Sequence, residues 1–120
     1  METIFAKFLV IRNTMNGKLV SFTGVDRLTV QNTIGIREIL MDMVTKRGSE
    51  LEIDLSAIRF IDSHMMDTLN LLSRMSRRYG SRVVLTHVTP EVWEFIQLVK
   101  LHSVFDINKV YKEERIDPAA

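Results

Sequence analysis

The stretch Leu51 to Leu72, LEIDLSAIRFIDSHMMDTLNLL, decides how this chain folds. Leu51-Glu52-Ile53-Asp54-Leu55 is a short apolar run of strand period with β-branched character, and it ends in a polar turn at Ser56-Ala57. A second apolar patch, Ile58-Arg59-Phe60-Ile61, leads to Asp62-Ser63. From there the apolar period changes from 2 to about 3.6, with Met65, Leu69, Leu72 and Met75 on one stripe. The switch predicts strand, short loop, then helix, with Asp62-Ser63 at the helix start. Asp and Ser are favoured there because their side-chain oxygens accept hydrogen bonds from backbone N–H groups that lack partners inside the helix. A serine so placed also holds its hydroxyl in the positive end of the helix dipole, where an attached phosphate is electrostatically tolerated.

Working outward toward the N-terminus, Phe5 to Arg12 reads as a first strand, Asn16-Gly17 as a hairpin turn needing positive φ, and Lys18 to Thr23 as the returning strand. Gly24 to Thr29 is a loop, and Thr29 can cap a helix from Val30 to Arg47 with a core stripe of Ile36, Leu40, Met43 and Val44. Gly48 supplies a left-handed stop. Gly35 inside this helix costs on the order of 1 kcal/mol against alanine, which points to a close backbone contact or a late helix start.

Toward the C-terminus, Tyr79-Gly80-Ser81 closes the second helix and Arg82 to His87 forms a strand with Val83-Val84-Leu85 as its buried heart. Thr89-Pro90-Glu91 then starts a third helix: Thr caps, Pro takes the first helical position and Glu lies in the first turn. Its inward stripe is Val92, Phe95, Ile96 and Val99, with Trp93 to one side, packed on the sheet edge. Val104 to Ile107 is a short last strand, and 111–120 is a polar tail. The order predicts one α/β domain over 1–120, with its core at about 5–108. It is a mixed, mainly parallel sheet of about five strands that opens with an antiparallel hairpin and packs against three or more helices. Right-handed crossovers would put most helices on one face.

Composition excludes several classes of function. The chain has 120 residues, no cysteine and a formal net charge of +1, so disulfides and thiolate metal sites are out, and nothing favours nucleic acid or anionic membranes. Phe8-Leu9-Val10-Ile11, between Lys7 and Arg12, is too short for a signal segment or a membrane span, and the chain reads as soluble and cytoplasmic. No glycine-rich phosphate cradle, no histidine spacing for a metal and no basic-aromatic alternation for nucleic acid is visible, so no cofactor is expected. Asp62, Ser63 and His64 have the composition of a catalytic triad. Neighbours on a helix point about 100° apart, however, and a triad needs members that converge from separate segments. The chain is therefore read as a non-enzyme.

The central stretch resembles the core motif of STAS domains, the family of anti-sigma factor antagonists and related regulators. Their pattern, an apolar strand ending in Asp-Leu-Ser and a later Ile-Asp-Ser before a Leu-rich helix, reads here as Ile53-Asp54-Leu55-Ser56 and Phe60-Ile61-Asp62-Ser63. Val88 to Val92 and Leu101 to Phe105 resemble the family's terminal helix and strand. The resemblance implies that Ser63 is a phosphoacceptor in a partner switch. The unphosphorylated form would bind a serine/threonine kinase that doubles as an anti-sigma factor, phosphorylation would end that binding, and a PP2C-like phosphatase would restore it. The implied binding face takes in Asp26, Thr29, Phe60, Asp62, Ser63, His64, Met66 and Asp67. The sequence departs from the family where a small, Gly-containing segment usually follows the serine, since His64-Met65-Met66 stands there. Those bulky residues point to an alternative, a scaffold or accessory subunit of a signalling assembly or membrane transporter that never takes phosphate. Self-association as a homodimer through the second helix would fit that alternative. For Ser63 and Asp62 by themselves, plain capping roles stay open.

Overall fold

The computed structural model describes residues 2–5 and 7–110. Its centre is a six-stranded mixed sheet in the order β1-β2-β3-β5-β7-β8. β1 (Glu2–Phe5), β2 (Leu9–Asn13) and β3 (Gly17–Phe22) form an antiparallel meander, and β3, β5 (Glu50–Asp54), β7 (Arg82–Val88) and β8 (Asp106–Val110) run parallel. The expected mixed sheet with a hairpin at its start is therefore present. Its strand count rises because Glu2–Phe5, largely ahead of the strand expected from Phe5 to Arg12, forms one of its own, and the expected strand begins only at Leu9. Lys7, at φ 69°, turns the chain so that Glu2–Phe5 pairs back on Leu9–Arg12.

Each parallel connection carries helix, as parallel strands require. Between β3 and β5 lie α1 (Val30–Thr33) and α2 (Ile36–Val44); α3 (Ser63–Tyr79) joins β5 to β7, and α4 (Pro90–Leu98) joins β7 to β8. The one helix expected from Val30 to Arg47 is two, because Gly35 at φ 91° breaks it. A Cβ at Gly35 would meet nothing within 4 Å, so the glycine is there for its left-handed conformation and not for close contact. Gly17 is the reverse case. It does not have positive φ, but a Cβ there would come within 2.1 Å of the Glu50 carbonyl oxygen, so the expected turn glycine is a close-approach glycine.

One sheet face carries Leu9, Ile11, Val20, Phe22, Leu51, Ile53, Val83 and Leu85 into a core shared with α2 and α3. The other presents Arg12, Leu19, Glu52, Val84 and Asp106 in one row across five strands. The buried stripe of α3 runs from Met65 and Met66 through Leu69 and Leu72 to Ser73 and Ser76, leaving Met75 half-buried. Small serines at the end of a stripe let a helix lie close to its neighbour, and a hydropathy pattern reads them as polar. In α4, Val92 and Ile96 are buried, Phe95 and Trp93 pack half-buried on the core, and Val99 is exposed. Thr89 is the N-cap residue, yet its hydroxyl donates to the Ile58 carbonyl (2.6 Å) and not to the helix. The last strand begins later than expected, at Asp106, with Phe105 buried ahead of it. The tail at 111–120 lies outside the described residues.

A second, two-stranded sheet was not expected from the sequence. β4 (Arg27–Leu28) runs parallel to β6 (Phe60–Ile61), and it brings the loop before α1 beside the loop before α3.

Candidate functional site

Ten residues of loop, 24–29 and 59–62, meet at the β4–β6 ribbon beyond the C-terminal end of β5. The Arg59 and Phe60 N–H groups both donate to the Asp26 carbonyl, at 2.7 and 3.2 Å, and the Asp62 N–H donates to the Leu28 carbonyl at 3.0 Å. These bonds hold Leu28 and Ile61 inward, both fully buried, and turn Arg27 and Phe60 outward. Arg27 sits over the exposed Phe60 ring with its guanidinium carbon 5.7 Å from the centroid, a cation–π arrangement. Arg59 pairs with Glu91 at the start of α4 at 3.0 Å, both side chains exposed.

Asp62 ends the ribbon and starts α3. Its backbone is extended, at φ −83° and ψ 175°, and its carboxylate does two jobs. Oδ1 accepts from the Met65 N–H at 2.9 Å, capping α3, while Oδ2 accepts from the Val30 N–H at 2.8 Å, at the first residue of α1. Thr29, the residue before α1, takes the Asn32 side-chain oxygen on its own N–H at 2.8 Å, one half of a capping box. Asp62 is the N-cap of α3, so Ser63 is not. Ser63 is the first helical residue, it is exposed, and its hydroxyl makes no hydrogen bond among the described residues.

The remaining residues expected on this face divide between surface and core. Asp26 and Asp67 are exposed, Thr29 and His64 are half-buried, and the His64 Nδ1 is enclosed without a partner. Met66 is 2 % exposed and belongs to the core with Met65, so it offers no contact surface. The turn of helix after Ser63 puts 65 and 66 on the inward arc, and only Ser63 and Asp67, four apart, look outward. Sequence reasoning missed Val30 and Ile34, which are 42 % and 77 % exposed. Both fall within the one helix expected from Val30 to Arg47, outside its core stripe, which begins at Ile36; Gly35 was the available sign of a break ahead of that stripe. Together with Phe60, 48 % exposed, they place three large apolar side chains on surface elements linked to Asp62.

The described residues contain no group of acidic, histidine or cysteine side chains able to hold a metal ion, and no helix among them is long and apolar enough to cross a membrane. A cleft of about 540 Å³ lies at the opposite end of the sheet, lined by Asn13, Met15, Lys18, Asp42, Lys46 and Ser49 among others. It is separate from Ser63.

The family model described as the STAS domain matches residues 14–115. Among solved structures, an anti-sigma-factor antagonist (STAS) domain protein from Planctomyces limnophilus is similar with a TM-score of 0.76 at 17 % identity, over 89 % of this chain and 93 % of that one. A putative anti-sigma factor antagonist from Thermotoga maritima is similar with a TM-score of 0.70 at 16 % identity, over 88 % of each chain. The anti-sigma factor antagonist SpoIIAA in its unphosphorylated form gives a TM-score of 0.69 at 16 % identity, over 91 % of this chain and 93 % of that one. At these identities the structural likeness establishes the fold. Comparison with curated proteins by sequence gives no significant match.

Proposed function

Because the chain belongs to the STAS domain family, we propose that it is a non-enzymatic binding module that works as an anti-sigma factor antagonist: it holds a protein partner at the β4–β6 ribbon and the start of α3, and phosphorylation of Ser63 ends the hold. The observation that carries this reading is the division of labour at the helix start. Asp62 does the capping, which leaves the Ser63 hydroxyl exposed and without a structural task at the positive end of a 17-residue helix. One similar structure is described as being in its unphosphorylated form, which supports a phosphorylation switch.

The partner is a serine/threonine kinase that also acts as an anti-sigma factor. It transfers the terminal phosphoryl of a nucleoside triphosphate to the Ser63 oxygen, the hydroxyl proton passing to a kinase base and the nucleoside diphosphate leaving. The phosphoserine adds about 1.5 to 2 negative charges to a surface that already carries Asp26, Asp62 and Asp67. A partner fitted to Phe60, Val30, Ile34 and an uncharged Ser63 is then repelled, and a PP2C-like phosphatase resets the module in the cytoplasm. The scaffold alternative drew on bulky His64-Met65-Met66 as a permanent apolar interface. Met65 and Met66 lie in the core, so of the three only half-buried His64 reaches the surface and the support is much reduced.

Intact-mass spectrometry of the protein from its own cells, wild type beside Ser63→Ala, tests the switch. One added phosphate in wild type that is missing in Ser63→Ala is the expected result. No phosphate in any growth phase sinks the switch and restores the scaffold.

A further inference from the structure

The two oxygens of Asp62 serve different helices, and this joins the candidate phosphorylation site to a surface 32 residues away in sequence. The helix α1 is four residues long, far below the length at which helices hold themselves in water. Its own bonds are local: the Asn32 and Thr33 N–H groups donate to the Thr29 carbonyl, at 3.1 and 3.0 Å, and the Asn32 amide donates to the Arg27 carbonyl at 2.8 Å. Among the described residues, the Val30 N–H to Asp62 Oδ2 bond is the only hydrogen bond from α1 to the start of α3. Val30 and Ile34, the exposed apolar residues at the two ends of α1, owe part of their position to it.

We propose that Asp62 is a positioning residue that relays charge at residue 63 to α1. A phosphate on Ser63 lies next to the Asp62 carboxylate and competes for the same N–H groups at the start of α3. Two anions on one helix start repel each other, and the phosphate carries the larger charge and three acceptor oxygens. The carboxylate gives way, Oδ2 leaves the Val30 N–H, and α1 loosens with the Val30 and Ile34 side chains. Phosphorylation thus acts twice: it adds charge where a partner sits, and it unfastens an apolar part of the surface which the partner would grip. The proposal rests on Ser63 being the residue that takes the charge.

The experiment is amide hydrogen exchange by NMR on the full chain, read at Val30. Four forms are compared: wild type, phosphoserine installed at position 63 during synthesis, Asp62→Asn, and the two changes combined. Asparagine keeps one acceptor oxygen for Met65 and loses the second for Val30. In both single forms the Val30 amide is expected to exchange roughly ten-fold faster or more, the factor that a hydrogen bond to a charged acceptor is worth. In the combined form no further rise is expected, because the link is already cut. An unchanged Val30 rate in the phosphoserine chain overturns the proposal, whatever Asp62→Asn does to the fold. So does an equal rise on adding phosphoserine to Asp62→Asn, which would mean the charge reaches α1 by another route. No kinase enters the measurement. A chain that takes no phosphate in cells and still loosens at Val30 on installed phosphoserine fails the functional reading and keeps this one.

Discussion

The two ends of the sheet are tied off by different means. At the end where β3, β5 and β7 begin, backbone meets backbone: the Glu50 N–H donates to the Asn16 carbonyl at 3.0 Å, Gly48 to Gly80 at 2.8 Å, and Arg82 to Ser49 at 3.0 Å. The charge of Arg82 there is spent on two carboxylates. Arg82 bridges Asp106 at 2.6 Å and Glu50 at 3.3 Å, and its guanidinium is held above its ordinary pKa, chiefly by Asp106 and then by Glu50. At the other end the ribbon β4–β6 is also stitched by backbone, but its outer side leaves Phe60, Val30, Ile34 and Ser63 exposed. The first end exposes the large apolar side chain of Met15 on its hairpin, whereas the second groups three around Ser63, as a surface meant to be gripped and released requires. The contrast predicts that substitutions at the first end register in stability and those at the second in binding.

The largest effect is expected at Gly17. A methyl group there would sit 2.1 Å from a backbone oxygen of the adjacent strand, which cannot swing aside as a side chain would. Gly17→Ala should cost at least about 3 kcal/mol, the upper end of over-packing penalties, or prevent folding, as read from the urea midpoint. A midpoint within error of wild type would mean that the β3–β5 contact opens easily and that the first end is not the stiff one. Next comes Met66, which is close to Ser63 in sequence but belongs to the core. Met66→Ala should cost about 2–4 kcal/mol by leaving a cavity. A loss of partner binding with unchanged stability would instead put Met66 back on the gripping surface.

How much of this contrast the sequence made legible depends on which residues carry it. Apolar runs and period located β5, α3 and β7, and the Thr89-Pro90-Glu91 start located α4, because most of their buried residues are large and apolar. The motif around Asp62-Ser63 located the start of α3. Three features lay beyond such reasoning. Lys7 breaks an apparently continuous element, and a backbone reversal at lysine leaves no mark in a hydropathy pattern, whereas Gly35 did signal the late start of α2. The ribbon β4–β6 has two residues per strand, too few for a period to register. The double cap at Asp62 depends on a contact between residues 30 and 62, which tertiary structure alone creates. The sequence put Met65 on the core stripe and the family resemblance put Met66 on the binding face, and the structure buries both.

The smallest effect on stability, and the sharpest test of the contrast, is expected at Ile34. Its side chain is 77 % exposed and lies outside the buried core, so Ile34→Ser removes little packing and should shift the unfolding free energy by less than about 0.5 kcal/mol. If the outer side of the ribbon is the gripping surface, the same change should weaken retention of the partner about ten-fold, the loss typical of truncating one apolar anchor at the centre of an interface. The measurement pairs a urea melt with titration of the kinase that wild type retains, using Ser63→Ala to hold the site uncharged. Full binding with a normal melt would confine the interface to Phe60 and the α3 start, and α1 would then serve only to bury its own Thr33. A melt displaced by more than about 1 kcal/mol would break the comparison itself, because an exposed residue at the loose end would be contributing as a core residue does.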